Sequence, residues 1–430
     1  MSHAFDVVVV GAGPGGIAAA TVAAEAGKRV CLLDNNAAPG GQIWRGLQDS
    51  TARRHPHGKQ FIAWNRRLVA SGCTVWPGWE VVDAPAPGIL RLENDRSTRD
   101  CRYENLILAT GARERFLPFP GWTLPGVMGV GGLQALVESG LDPAGKRIVV
   151  AGSGPLLFAV AAKLAQAGAT LEGIFEQASL SNLIRFGVTA LGTPAKLLEG
   201  ARYMLQIHGA TYRPGWWVKR AEGADRLESV TVTNGRAERI LVCDWLACGF
   251  HLVPNLELPR FLGCRIGSGY VAVDALQQTS VPGIACVGEL TGVGGMDKAL
   301  VEGQIAGLVA AGRADRAQRF ARQRRHWAVF ARRMDCAFAP RPELRALPQA
   351  DTIVCRCEDV TYGDLAGCRN KREAKLHTRS GMGACQGRIC GAATDFLYGW
   401  QTKGLRPPVY PARVATLAAA LDDSPSPADE

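Results

Sequence analysis

One local grammar, used twice, constrains this chain more than any other feature. Residues 6–10 form an apolar, β-rich run. Gly11-Ala-Gly13-Pro-Gly15-Gly16 follows, and then an alanine-rich stretch that ends at Gly27. Residues 147–151 repeat the pattern before Gly152-Ser-Gly154-Pro-Leu-Leu157 and a second alanine-rich stretch ending at Gly168. Strand, glycine turn, helix and strand make the βαβ unit of a parallel sheet. Two copies, 141 positions apart from Gly11 to Gly152, predict two nucleotide-fold domains rather than a solenoid. In the first copy Gly11 allows the tight turn, Gly13 lets backbone approach a pyrophosphate, and Gly16 lets helix and strand pack closely. The free N–H groups of the helix start then face the phosphates. Asp34 closes the next strand 18 residues past Gly16, near the offset of about 20 at which an acid accepts hydrogen bonds from a ribose. The plain alternative is a glycine turn with no ligand.

Three further stretches favour FAD over NAD at this turn. Leu106-Ile-Leu-Ala109-Thr110-Gly111-Ala112 resembles the strand and A-T-G turn of two-dinucleotide flavoprotein oxidoreductases. Val287-Gly288-Glu289 resembles the late motif whose acid holds the flavin ribityl chain, with Glu289 in place of the usual Asp. Gly40-Gly41-Gln42-Ile-Trp-Arg45 resembles a flavin-side loop of amine-oxidising relatives, against the bland reading of a surface loop. Segment 35–60 contains no cysteine, so dithiol–disulfide chemistry beside the flavin is not expected.

The second turn departs from the fingerprint, because Leu157 stands where a small residue is needed. Glu176 still follows the next strand. Gly152, Gly154 and Glu176 are therefore candidates for a second adenine nucleotide or NAD(P), or for a purely structural turn.

Of thirteen cysteines, nine are scattered singly and read as small buried hydrophobes. The other four form two close pairs, Cys355-Arg-Cys357 and Cys385-Gln-Gly-Arg-Ile-Cys390, with 27 residues between them. Soft thiolates in fours select zinc or an iron–sulfur cluster. Structural zinc prefers pairs spaced by two to four residues, which C-x-C fits poorly. Gly381, Gly383, Gly387 and Gly391 let backbone N–H groups reach sulfur. Lys375, Arg379 and Arg388 would offset a cluster's negative charge. Iron–sulfur is the favoured reading, with zinc and buried free thiols as alternatives.

Val354-Cys-Arg-Cys-Glu358 with Thr378-Arg-Ser-Gly-Met-Gly-Ala-Cys-Gln-Gly-Arg-Ile-Cys390 resembles the [2Fe-2S] domain named after bacterioferritin-associated ferredoxin. Residues 5–410 as a whole resemble the alpha subunits of heteromeric FAD-dependent amine and amino-acid dehydrogenases. That group includes opine, D-hydroxyproline and dye-linked proline dehydrogenases and the B subunit of hydrogen cyanide synthase. The much longer alpha chain of sarcosine oxidase is also similar. The resemblance implies an oxidoreductase subunit that holds FAD and a [2Fe-2S] cluster and relays electrons. A second, D-amino-acid-oxidase-like flavoprotein subunit would oxidise the amino or imino acid, and a small ferredoxin-like subunit is a further possible partner. Proline-like, opine and glycine substrates stay open, and no catalytic residue stands out. The runner-up is a stand-alone NAD(P)H-dependent flavin and iron–sulfur reductase, and a scaffold protein is the third reading.

The net charge of +10 is concentrated in residues 313–333, where eight arginines alternate with Phe320, Trp327, Val329 and Phe330. No nucleic-acid recognition motif accompanies that basic helix. A solvated face, a partner interface and peripheral membrane contact remain its candidate roles. The N-terminus carries no signal-peptide pattern and no apolar run reaches membrane-spanning length, so a cytoplasmic protein is expected. The organisation expected is an α/β flavoprotein whose FAD domain (1–118 and 251–315) is interrupted by a second nucleotide-fold domain (119–250). A basic helix and linker (316–350), a [2Fe-2S] domain (351–410) and a tail (411–430), unstructured from Asp422, complete it.

Overall fold

The computed structural model describes residues 3–47, 56–190, 192–207, 209–402 and 404–421. The tail from Asp422 lies outside the described residues. The chain divides into two compact units. The first combines 1–113, 254–332 and the C-terminal segment from 403, and the second combines 114–253 with 333–402.

The first unit is built on a seven-stranded sheet. Thr74–Pro77, Val30–Asp34, His3–Val10 and Thr98–Leu108 run parallel in that spatial order. Ile89–Glu93 and Glu80–Ala86 extend it antiparallel, and Ile284–Cys286 pairs parallel with Thr98–Leu108. The Val7–Val10 run is apolar without alternation because both faces of the sheet are covered. The Pro14–Glu25 helix starts with proline at its first position and Gly13 as N-cap. Its small residues admit the Gly295–Ala310 helix at close range: a Cβ on Gly303 would stand 2.2 Å from Gly15 O, and one on Gly307 would stand 2.4 Å from Ala19 O. The C-terminal segment returns to this unit. There buried Arg91, paired with Asp100 at 2.9 Å, donates onward to the carbonyls of Thr416, Ala419 and Ala420.

The second unit carries a five-stranded parallel sheet in the order Tyr212–Pro214, Thr170–Glu176, Arg147–Ser153, Trp245–Phe250, Val127–Met128. A three-stranded antiparallel sheet accompanies it. The largely apolar stretch 240–248 spans two strands. Glu238–Val242 and Trp245–Phe250 are separated where Asp244 turns to accept the Arg147 N–H at 2.8 Å. The stretch expected as a linker is packed: Leu344 is fully buried with Phe175, Trp217 and Phe250, and Ile389 and Phe396 of the cysteine module lie against the same core. The arginine-rich stretch is likewise not one helix. It comprises Ala314–Ala317, a 3-10 turn at Gln318–Phe320, and Ala321–Ala337. Among the described residues no helix is long and apolar enough to cross a membrane.

Candidate functional site

The first glycine turn sits where the parallel strands end. Gly11 has φ +105°, and a Cβ there would lie 2.3 Å from Ala109 O. Strand crossing at the A-T-G turn therefore enforces glycine. A Cβ on Gly16 would stand 1.8 Å from Gly11 O, so helix and turn can touch only at a glycine. Gly13 is different: its backbone is extended, and the nearest atom to an added Cβ is Gly41 Cα, at 4.0 Å. Asp34 is buried and accepts from Ala12 N–H and from Asn36 N–H at 2.8 Å. Gly41 folds over the turn, with a notional Cβ 2.8 Å from Gly13 Cα. Gln42 is exposed and hydrogen-bonded to Arg45. Thr110 and Gly111 are fastened by Asn255, whose amide donates to Thr110 O at 2.7 Å and whose N–H donates to Gly111 O at 3.0 Å.

Gly288 and Glu289 reach the same end of the sheet, because Val287 and Ala299 lie within 3.5 Å of a Cβ built on Gly15. Glu289 accepts the N–H groups of Gly294 and Gly295, both at 3.0 Å, at the start of the Gly295–Ala310 helix. Burial raises its pKa, against the pull of Lys298 and those two donors. Sequence reasoning missed the device beneath this turn. Lys298, 2% exposed, donates to Gly288 O at 2.8 Å, Thr291 Oγ1 at 2.7 Å and Glu302 at 2.8 Å. Glu302 in turn accepts from Gly288 N–H at 2.9 Å. The available signal was a lysine and a glutamate four apart in a mainly apolar helix.

The second turn has another shape. Gly152 repeats the role of Gly11, with φ +134° and a notional Cβ 1.8 Å from Gly249 O. Gly154, however, has φ +106°, where Gly13 is extended. Leu157 points into the core, 1% exposed, and the helix begins only at Leu156. The N–H groups of Leu157 and Phe158 go to Gly154 O and Pro155 O. Glu176, fully buried, gives one oxygen to Gly154 N–H and the other to Ala178 N–H, both at 2.8 Å. Burial lifts its pKa to about 7. The stretch 338–341 is bonded across the ends of these strands: Ser153 donates to Phe338 O at 3.0 Å, Gln177 donates to Ala339 O at 3.1 Å, and Arg341 N–H donates to Gln177 Oε1 at 2.9 Å.

The four cysteines come together. Cys355, Cys357, Cys385 and Cys390 line one open cavity of about 130 Å³ with Phe116, Trp122, Arg356 and Ile389. Cys355 and Cys390 are buried, Cys385 is half-buried and Cys357 is exposed. The Cys390 thiol and the N–H groups of Gly381, Glu358 and Cys357 pull the Cys355 pKa down to about 6, while its partner Cys390 is pushed up. Among the described residues no three His, Cys, Asp or Glu side chains gather as a site for a single metal ion. Six of the nine scattered cysteines are buried as expected, Cys73 and Cys368 are half-buried, and Cys336 is exposed.

Two nucleotide-type units, with the first turn open to a diphosphate and a second turn of altered shape, define a two-dinucleotide-fold oxidoreductase. The chain belongs to the pyridine nucleotide-disulphide oxidoreductase family, whose model matches residues 5–314. This is a family of flavin-dependent oxidoreductases. The chain is 34% identical over 418 residues to the A-type chain of opine oxidase from Rhizobium meliloti (strain 1021), covering 90% of each chain. It is 32% identical over 431 residues to hydrogen cyanide synthase subunit HcnB of Pseudomonas protegens, covering 91% of this chain and 92% of that one. L-proline dehydrogenase of P. horikoshii shares the fold, with a TM-score of 0.69 at 18% identity over 97% of this chain and 80% of that one.

Proposed function

We propose that this chain is the FAD-binding, electron-relaying subunit of a heteromeric amino- or imino-acid dehydrogenase, with a [2Fe-2S] cluster on its four clustered cysteines. The contrast between the two glycine turns carries the reading. The first fits a flavin dinucleotide: Gly13 leaves space for a diphosphate, the helix behind it offers N–H donors, and Asp34 stands at the ribose position. FAD, when bound, supplies two-electron oxidation and reduction. The second turn commits the N–H groups of Leu157 and Phe158 to its own backbone, and Leu157 fills the place of the third glycine. That argues against nicotinamide input and for electrons arriving from another subunit. The four thiolates fit a cluster by donor softness and by sharing one cavity. Buried Lys298 and Glu302 hold the Gly288–Thr291 turn rigid, and Glu289 orients the start of the helix behind it.

The relatives' names, which mark them as parts of larger enzymes, support a heteromer. The partner in this reading is a D-amino-acid-oxidase-like flavoprotein that binds proline-like, opine-type or glycine-type substrate. The test is anaerobic purification of the chain alone and together with such a partner. Alone it should carry FAD and iron and stay oxidised on addition of NADH or NADPH. With the partner, an amino or imino acid should reduce it. Bleaching of the flavin by NADH in the isolated chain would instead make it a reductase.

A further inference from the structure

We infer that the four thiolates of this proposed cluster divide across the two motifs rather than along them: Cys355 and Cys390 share an inner iron, and Cys357 and Cys385 share an outer one. The inference rests on the cluster reading above. The sequence suggests the opposite, since each short motif looks like a chelate for one iron.

Local backbone explains the crossing. Cys355 is the last residue of the Ile353–Cys355 strand and lies in the module core with Val354, Val360 and Ala374. Cys357 is two residues further, in the turn that follows, and is exposed. Cys390 opens the Cys390–Tyr398 helix and is 3% exposed, while Cys385 stays half-buried in the preceding loop. That loop turns back on itself through positive φ at Arg379, Gly381, Gln386 and Gly387. Each motif therefore contributes one sulfur to the interior and one to the rim.

Two glycines distinguish the inner sulfurs from the rim. Gly381 lies between the inner sulfurs: its N–H is 3.5 Å from Cys355 Sγ, and a Cβ built on it would be 3.8 Å from Cys390 Sγ. Gly383 lies against the outer Cys357, with a notional Cβ 2.3 Å from Cys357 Cβ. All four thiols line the one cavity, with Cys355 and Cys390 buried in the module and Cys385 and Cys357 progressively nearer its rim. Among the described residues no three such side chains gather around one metal ion, which suits two irons better than a single zinc.

The two positions are chemically unequal. The Gly381 N–H lies 3.5 Å from the buried Cys355 Sγ, whereas Cys357 is exposed. Such donors tune an iron–sulfur centre.

The experiment uses the full chain. Iron and sulfide are first quantified in anaerobic wild-type protein. Cys355→Ser, Cys390→Ser, Cys357→Ser and Cys385→Ser are then compared by resonance Raman and, after dithionite reduction, by electron paramagnetic resonance. Exchanging sulfur for oxygen on one iron should give one spectral class for positions 355 and 390 and another for 357 and 385. Grouping of 355 with 357 and of 385 with 390 overturns the pairing. A second readout does not need a loaded cluster. Mild diamide oxidation of iron-free wild type, followed by peptide mapping, should give disulfides 355–390 and 357–385, and any other pattern overturns the inference. Wild type without iron, but with those two disulfides, would refute the cluster and leave the sulfur pairing standing.

Discussion

Gly13 offers a substitution whose effects on fold and on ligand have opposite signs. Its backbone, φ −75° and ψ −178°, suits any L-residue, and an added Cβ meets only Gly41 Cα at 4.0 Å. Gly13→Ala should therefore strain nothing and should stabilise the apoprotein by about 0.4–1 kcal/mol, because alanine narrows the unfolded ensemble. The same methyl occupies space that the proposed diphosphate needs. Pushing the phosphates out by about 1 Å takes N–H···O contacts from about 2.9 Å past the hydrogen-bond limit. Losing two charge-assisted hydrogen bonds at about 1.5 kcal/mol each costs about 3 kcal/mol, which is roughly a 100-fold weaker Kd. The assay is FAD titration of apoprotein by flavin fluorescence, with thermal unfolding of the same apoprotein. Gly16→Ala is the comparator. Its Cβ must move from 1.8 Å to at least 3.0 Å from Gly11 O, a shift of 1.2 Å, so fold and cofactor should fail together. Gly13→Ala with wild-type affinity for FAD would refute the site, and Gly13→Ala with destabilised apoprotein would refute the geometry.

Three further outcomes are expected. Lys298→Met should cost about 3–5 kcal/mol in urea unfolding by stranding Glu302 in the interior, and Lys298→Met with Glu302→Leu should recover much of that loss. Glu176 holds its proton up to about 7 in the folded state against 4.5 in the unfolded chain. The folded state thus binds more protons between those values, and stability should fall as pH rises from about 4.5 to 7; Glu176→Gln should remove that slope in pH-dependent unfolding. Arg91→Met should destabilise by about 3 kcal/mol or more by leaving Asp100 buried and unpaired. It should also expose the segment around Thr416 to limited proteolysis, and unchanged protease resistance would contradict the clasp.

What the sequence reveals here is chemistry encoded in residue identity over short spans. Gly11, Gly16 and Asp34 stand where they do because crossing backbones and a strand end leave no other choice, and that requirement is local. The cysteine quartet is legible for the same reason, although its crossed arrangement is not: burial at 355 and 390 depends on a strand end and a helix start that spacing does not encode. Contacts made by backbone carbonyls across long separations leave no sequence trace at all. Gln177 reaching Ala339 O, 162 residues away, is one such contact, and the return of 404–421 to Arg91 is another. In the stretch 240–248 hydrophobicity alone is blind to the turn that Asp244 makes with Arg147.

That returning segment sets the order in which the protein can be completed. Arg91 leaves the ribosome 329 residues before Ala420, the last of its carbonyl partners. At about 5–20 residues per second that interval is roughly 15–65 s. For much of it the first unit also lacks residues 254–332 and has to wait while the second is made. The nascent sheet is thus an unfinished edge over that interval, and a chaperone that shields it until Ala420 has emerged acts on the step most exposed to aggregation.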